Sequence, residues 1–289
     1  MPQEQTRDAP FDRELRRLRR DRAARSAVAA DYLHRRAAEE ILDRLEMVKR
    51  RFETVLLIGC ADLWLAERLS EKGIRVRACD PGALFARRAG GVQCDEDLLP
   101  FADSGVDLVV AIGTFDSVND LPGALTLARR SLVPDGLFLA AFAGAGSLPR
   151  LRSALRAAED ALEEPASPRI HPQIDVRAAG DLLMRAGFSL PVVDSDKISV
   201  RYPGLIDLVR DLRAMAATNI LSRRTRRSFG RVALAAAIAD FAANADPDGK
   251  TTERFEILHL SGWAPSPDQP RPARRGSATA SLAEALRKT

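Results

Sequence analysis

Apolar residues recur along this chain in two alternating patterns, and their order predicts the fold. Strand signals lie at Val55 to Ile58, Ile74 to Cys79, Leu108 to Ile112 and Leu137 to Phe142; all but the second are continuous apolar runs. Amphipathic segments with helical spacing lie between them, and the first of these extends to Lys72. This alternation predicts an α/β fold, with a parallel sheet that is covered by helices on both faces.

Turn and cap signals organise the middle of the chain. Pro134-Asp135-Gly136 predicts a turn in which proline presets the first corner and Gly136 takes a positive φ before the strand at Leu137 begins. A helix is expected from about residue 148 to residue 163. Asp175 is expected to cap a further helix that reaches Ala186, with Gly187 as the left-handed residue that ends it.

Two later strands are separated by a helical insertion. Lys197 to Tyr202 alternates as a strand does, a second strand is expected at Phe255 to Trp263, and the helical insertion spans 203–243. The tail, 265–289, is rich in Pro and Arg and carries a short helix at 281–286. We therefore divide the chain into an N-terminal basic helical arm (1–51), an α/β domain (52–264) and this tail.

Charge concentrates in the arm. Residues 1–51 hold 14 Lys/Arg and 10 Asp/Glu, and this excess of four equals the net charge of the whole chain. Arg13, Arg16, Arg17 and Arg20 share helical spacing, whereas the apolar residues nearby fall on another face. The face could dock on nucleic acid, anionic lipid or an acidic partner. We expect instead a solvated arm that packs its apolar stripe on the domain, because no aromatic residues interleave with the arginines, and we expect no nucleic-acid partner.

The carboxyl ends of parallel strands predict where a ligand would bind. Gly59 lies in the turn after the first strand, and Asp80 ends the second strand 21 residues later, where a carboxylate can accept ribose hydroxyl protons or simply cap a turn. Asp95 follows the expected third strand and could receive an adenine amino group. Because Glu96 and Asp97 adjoin it, a solvated acidic loop is an equal alternative.

The cysteines, histidines and apolar runs limit the other classes of site. Cys60, Cys79 and Cys94 end three neighbouring strands and are expected to lie close together as small buried residues; without a Cys-x-x-Cys pair or a nearby histidine we expect no metal. His171 and His259 are isolated, so neither suggests a catalytic base. We expect no transmembrane segment and a cytoplasmic location, because apolar runs of membrane-spanning length and a secretory signal are both missing and acids interrupt the Arg-rich start.

Several segments carry a more specific resemblance. The sequence resembles class I S-adenosylmethionine-dependent methyltransferases, in the branch that contains the respiratory complex I assembly factor of methyltransferase fold. The resemblance covers nearly the whole chain and is most specific in the second half. Its segments are 11–13, 118–125, 134–138, 167–169, 175–177, 185–188, 200–202, 210–215, 217–219, 255–257 and 262–265.

The resemblance implies a Rossmann-like, seven-stranded sheet with an antiparallel last strand, S-adenosyl-L-methionine as cofactor and a protein client in a respiratory complex, with peripheral contact at the inner membrane. A member of this branch hydroxylates an arginine, so the fold alone does not fix the reaction. The cofactor would be held by Gly59, Cys60, Ala61, Asp80, Asp95 and Gly113. Asp116 is the candidate catalytic residue, and Arg201, Tyr202 and Asn219 would shape the substrate side.

Two parts of the implied pocket depart from the family pattern. Where the family has an acid and two further glycines in the first turn, this chain has Leu57, Ala61 and Leu63. The side chain of Leu63 would occupy space that the cofactor needs. Phe115-Asp116-Ser117 stands where the family often has Leu-His-Trp. Two hypotheses follow: a protein-modifying enzyme that keeps its cofactor, or a non-catalytic assembly protein that grips its client through the insertion and the basic arm.

Overall fold

The computed structural model describes residues 9–26, 30–61, 63–162, 167–227 and 229–269. Within this part of the chain, seven strands form one sheet of order β3-β2-β1-β4-β5-β7-β6. The strands are β1 (Thr54–Ile58), β2 (Arg75–Asp80), β3 (Val92–Gln93), β4 (Val106–Ile112), β5 (Leu132–Ala143), β6 (Ser189–Tyr202) and β7 (Thr251–Trp263). The helices are α1 (Arg13–Ala24), α2 (Tyr32–Met47), α3 (Leu63–Glu71), α4 (Ala83–Arg88), α5 (Leu121–Ser131), α6 (Pro149–Asp160), α7 (Val176–Arg185), α8 (Leu205–Ala214) and α9 (Arg231–Ala243).

The sheet is parallel except for β7, which runs antiparallel to β5 and to β6. The fold class expected from the sequence is therefore confirmed. Continuous apolar strands are explained by burial on both faces: Leu56 and Ile58 point to the side of α5 and α7, and Val55 and Leu57 point to the side of α1 to α4. A third apolar cluster joins α6, α8 and α9 to the last residue of β6, Tyr202, and to Phe255 near the start of β7.

The turn at Pro134-Asp135-Gly136 differs from its prediction. Strand β5 runs through it from Leu132, and the pairing with β4 shifts register there. Asp135 has the positive φ of 60°, and Gly136 does not. Gly136 is required instead by close approach, since a Cβ would lie 2.9 Å from the carbonyl oxygen of Val133. Aspartate tolerates the left-handed region better than most residues, so Asp135 can take the positive φ that was predicted for Gly136.

The other local signals hold. Asp175 caps α7 by accepting a hydrogen bond from the Ala178 amide, and Gly187 follows the helix with φ of 84°. Helices α8 and α9 fill the predicted insertion between β6 and β7. The helix predicted at 281–286 lies outside the described residues. No described helix has the length and apolarity needed to cross a membrane.

Candidate functional site

The turn after β1 is built around Gly59. Its φ is +85°, and a Cβ at this position would lie 2.3 Å from the carbonyl oxygen of Ile112 on β4. Glycine is therefore required by the packing of neighbouring strands. The next amide, that of Cys60, donates a hydrogen bond to Asp80 Oδ2 at 2.7 Å. Ala61 is half-buried, and α3 begins at Leu63.

Four carboxylates lie together at the carboxyl ends of β2 and β3; we call Asp80, Asp95, Glu96 and Asp97 the acid cluster. Asp80, Asp95 and Glu96 are almost fully buried, and the side chain of Asp97 is 4% exposed. A solvated acidic loop, the alternative that the sequence left open, is thus ruled out. Buried carboxylates need partners, because an unpaired charge inside a protein is costly.

Helix α1 supplies those partners through one face, Arg13, Arg16, Arg17 and Arg20, which we call the arginine face. Arg20 binds both oxygens of Asp80, with Nε at 2.7 Å and Nη2 at 2.6 Å. Arg16 binds both oxygens of Glu96 at 2.6 and 2.8 Å. Arg17 pairs with Asp95 at 2.5 Å, and Arg13 spans Asp97 and Asp95.

The packing of α1 differs in part from the one expected. The sequence predicted that the apolar stripe would pack on the domain and that the arginines would be solvated. Instead, Arg16 and Arg20 are each 4% exposed, whereas Leu18 is 65% exposed. Apolar contact is retained near the helix start, where Phe11 packs with Leu15, Ile220 and Leu221.

The electrostatics of the pairs agree with their geometry. Burial alone would lower the pKa of Arg20, but the charge and hydrogen bonds of Asp80 outweigh it and raise the pKa above its ordinary value. Hydrogen bonds from Arg13 to Asp97 likewise raise the pKa of Arg13. These arginines stay charged, and bidentate geometry fixes their positions.

The oxygens of Asp80 are fully coordinated. Oδ1 accepts from Arg20 Nε and from the Gly82 amide at 2.7 Å each, and Oδ2 accepts from Arg20 Nη2 and the Cys60 amide. In Asp95 only Oδ2 is paired, and its buried Oδ1 has no hydrogen-bond partner among the described residues. Of the two acids expected to bind a nucleoside, Asp80 already accepts two hydrogen bonds at each oxygen. Asp95 can still accept one at Oδ1.

A cavity of about 120 Å³ lies between α1 and the end of β4. Gly113 and Asp116, at the end of β4, line it together with Arg16, Arg20, His34 and His171. Gly113 has φ of +62°, and a Cβ there would lie 2.5 Å from His34 Nε2. Gly59, Cys60, Ala61, Asp80 and Asp95 do not line this cavity. The walls are otherwise largely apolar, with Leu33, Ala37, Phe142, Leu212, Met215 and Phe255 among them.

Asp116 and His171 are the cavity groups with unusual environments. Asp116 Oδ1 is buried and has no hydrogen-bond partner in the described part of the chain. His171 Nε2 accepts a hydrogen bond from the Ile220 amide at 3.2 Å, and burial lowers the pKa of this histidine. Because its Nε2 accepts a backbone hydrogen bond, His171 has a structural role in the cavity wall. The sequence did not indicate this role.

The substrate-side candidates lie elsewhere. Arg201 is half exposed at the end of β6 and pairs with Asp248. Tyr202 is buried and shares a hydrogen bond of 2.5 Å with Tyr32, and burial raises the pKa of Tyr202 to about 12. Asn219 ties two loops by donating to the Pro168 carbonyl and accepting from the Leu221 amide. None of the three lines the cavity.

The cysteines form a buried group, as expected. Cys60, Cys79 and Cys94 are free thiols, each at most 9% exposed. Burial raises the pKa of Cys60 to about 12, and a hydrogen bond with Cys94, together with burial, raises the pKa of Cys79. Among the described residues no group of three or more His, Cys, Asp or Glu is arranged to hold a metal ion.

Sequence reasoning missed the pairing of the arginine face with the acid cluster. The signal was available in part: arginines at positions i, i+3, i+4 and i+7 of a helix, and a run of three acids after a strand. What the spacing could not supply was the proximity of the two segments, which are 60 to 84 residues apart. Charge runs are usually solvated, which favoured the wrong expectation.

Known proteins with similar sequences share the methyltransferase domain. Residues 56–140 match the methyltransferase domain family model. The chain is 34% identical to the mitochondrial arginine-hydroxylase NDUFAF5 of Danio rerio, over 95% of this chain and 88% of the relative. It is 30% identical to the malonyl-[acyl-carrier protein] O-methyltransferase of a Methylovorus strain, over 86% of this chain and 88% of the relative.

A solved structure extends the comparison to the fold. The methyltransferase-type protein BH2331 of Bacillus halodurans C-125 superposes with a TM-score of 0.55 at 13% identity, covering 79% of this chain and all of that protein. At this identity the likeness concerns the fold alone. Together with the full-length relatives, these observations show that the chain belongs to the class I methyltransferase-fold family, in the branch that contains the arginine-hydroxylase NDUFAF5 proteins.

Proposed function

We propose that this protein binds a cationic side chain of a protein client, an arginine, in the cavity beside β4, as part of the assembly of a respiratory complex. The observation that carries the proposal is Asp116 Oδ1, a buried carboxylate oxygen without a hydrogen-bond partner among the described residues. Such an oxygen is costly to leave unmatched and suits a donor that arrives from outside. The name of the NDUFAF5 relatives, arginine-hydroxylase, supports arginine as that donor.

The surroundings of Asp116 suit a guanidinium. Arg16 and Arg20 also line the cavity, but their charges are matched by Glu96 and Asp80. The apolar walls would hold the stem of the client side chain, and a carboxylate accepts a guanidinium with two donors in one plane. Exclusion of water by those walls would strengthen the pair.

The fold family implies S-adenosyl-L-methionine as cofactor, and the site fits it only in part. Asp95 Oδ1 is suitably buried and unpartnered for an adenine amino group. Asp80, the expected acceptor of the ribose hydroxyls, already receives four donors. With α1 docked in this way the residues do not accommodate the ribose, so we derive no chemical step through the cofactor.

That saturation of Asp80 favours a second candidate function, a non-catalytic assembly protein. In this case the arginine face would permanently replace the cofactor, and the cavity would serve only to hold the client. The two candidates share the client site at Asp116 and differ in whether an adenosyl ligand ever reaches Asp80.

A membrane contact forms a separate part of the proposal, carried by α9. Val232, Leu234 and Ile238 are 70%, 38% and 40% exposed, while Ala233, Ala237 and Phe241 on the other face are buried. Exposed arginines precede or begin the helix at Arg226 and Arg231. An apolar helical face beside basic residues suits an anionic lipid surface. Vesicles that contain phosphatidylglycerol should retain the protein better than neutral vesicles, and Val232→Asn with Ile238→Asn should abolish the difference.

The membrane test has a matched control in Val92→Asn, which removes an exposed valine at the opposite edge of the sheet. Equal loss of vesicle binding in both variants would contradict a specific role of α9.

The client site is tested with a blocked arginine, N-acetyl-arginine-N-methylamide, and its neutral isostere, the citrulline compound. Binding, followed by NMR shifts of the cavity residues, should favour arginine, and Asp116→Asn should remove that preference. Asp43→Asn, an exposed aspartate of α2, is the matched control. Equal shifts with arginine and citrulline in the unaltered protein would refute the proposed client chemistry.

A further inference from the structure

We infer that α1 is a displaceable strap that shuts the cofactor crevice from within the chain, so that docking of the arginine face and binding of an adenosyl ligand exclude each other at Asp80. The inference concerns regulation of the crevice at Asp80 and rests on the first candidate function, in which an adenosyl ligand reaches Asp80. It explains the disagreement between a family cofactor position and a fully coordinated acid.

The exclusion follows from the coordination of Asp80. Both of its oxygens bind Arg20 and a backbone amide, and the side chain is buried. Ribose hydroxyls could reach these oxygens only in place of Arg20. The backbone donors of Cys60 and Gly82 would remain, because they belong to the turns after β1 and β2. The α/β domain thus orients the Asp80 carboxylate through two backbone amides, and Arg20 of α1 occupies its remaining acceptor positions.

The way α1 is held makes it displaceable. Four of its side chains face the acid cluster as ions, and its apolar burial is small: Ala23 and Ala24 near one end, and Leu15 beside Phe11 at the other. Buried ion pairs give little net stabilisation, because desolvation offsets much of the attraction. A helix held in this way can be released at modest cost. Its release should depend on salt through Arg13 and Arg17, whose side chains are 25% and 41% exposed.

Gly82 offers a way to loosen the strap without touching any charge. A Cβ at Gly82 would lie 2.7 Å from the Cβ of Arg20, and the φ of Gly82, −83°, is ordinary for alanine. Gly82→Ala should therefore press α1 away from Asp80 while every arginine and acid is kept. Arg20→Ala removes the competing guanidinium itself.

The test is calorimetric binding of S-adenosylhomocysteine, which has no net charge at neutral pH, to the full chain. Arg20→Ala and Gly82→Ala should each bind about tenfold or more tightly than the unaltered protein, because the apparent affinity is reduced by the fraction of open molecules. Arg22→Ala, which removes an exposed arginine of the same helix, should change nothing. Raising salt from about 0.05 M to about 0.5 M should tighten binding to the unaltered protein and leave Arg20→Ala unaffected.

Hydrogen exchange of the α1 amides gives an independent measurement, and ligand binding should speed their exchange. Equal affinity of all forms, with α1 equally protected with and without ligand, would overturn the strap but leave cofactor binding intact. Failure of every form to bind, with folding verified by circular dichroism, would overturn cofactor binding itself and the strap with it. If Arg20→Ala does not fold, Gly82→Ala and the salt series decide.

Discussion

Arg20 and Asp80 form a buried bidentate ion pair in which the guanidinium meets both carboxylate oxygens, at 2.7 and 2.6 Å. The pair joins the N-terminal arm to the end of β2, across 60 residues of sequence. It accounts for the burial of a charged helix face and for the closed state of the crevice, and its energetics can be tested directly.

Asp80→Ala should destabilise the fold by about 3–5 kcal/mol, because it leaves Arg20 buried without its counter-ion and removes the acceptor of the Cys60 amide. Asp103→Ala breaks the exposed pair with Arg130 and should cost far less, because solvent screens that pair. Urea unfolding measures both. A similar small loss in the two variants would show that the Asp80 pair is not effectively buried.

Gly59→Ala should cost more than Gly73→Ala. Both glycines have φ near +80°, so each substitution carries a conformational penalty of about 1–2 kcal/mol. Only at Gly59 would the new Cβ also collide with the Ile112 carbonyl oxygen, whereas no atom lies within 4 Å at Gly73. The difference in unfolding free energy isolates the collision, and its absence would mean that β1 and β4 separate easily.

His259 should make stability fall under mild acid. Both ring nitrogens are buried without a hydrogen-bond partner among the described residues, and burial, with Arg44 nearby, lowers the pKa. The unfolded chain therefore binds a proton more readily than the folded one. Stability is complete above the unfolded pKa of about 6.5 and is lost as the pH falls below it, by at most about 1.4 kcal/mol at about pH 5.5.

His259→Leu is the corresponding variant. Its unfolding free energy should decline less between about pH 7.5 and about pH 5.5 than that of the unaltered protein. An unchanged slope would assign the acid sensitivity to other groups, of which His171, with its similarly lowered pKa, is the first to examine.

The three thiols should be unreactive in the native protein. With the pKa of Cys60 near 12, about one molecule in ten thousand carries the thiolate at about pH 8, and burial restricts access as well. Ellman's reagent should detect all three only after denaturation. Rapid modification of even one thiol under native conditions would contradict the packing of the three strand ends.

The pattern of residues predicted much of the sheet, because β1, β4 and the end of β5 are buried on both faces and so form continuous apolar runs. Strand β6 was recognised only from Lys197 onward, although it begins at Ser189. It is an edge strand with Pro191 and a register shift near its start, so few of its early residues are buried and the apolar signal is weak there.

The location of three acids at one edge of the sheet was predicted, whereas their roles stay predictions. Asp80 ends β2, Asp95 and Asp116 follow the ends of β3 and β4, and the topology of a parallel sheet brings such ends to one edge. The partners of these acids could not be predicted, because the spacing of nearby residues does not show which distant segment packs on a strand end.

The sequence by itself determined the periods of the strands and helices and the arginine spacing on α1, whereas the seven-stranded sheet was implied by the family resemblance. The periods and the spacing follow from residues a few positions apart, where backbone geometry links sequence to structure. The tertiary structure alone decided that Arg16 and Arg20 are buried against carboxylates, while Leu18 is exposed. That outcome depends on four carboxylates that the ends of β2 and β3 bring to α1 from 60 to 84 residues away in sequence, a distance over which local spacing carries no information.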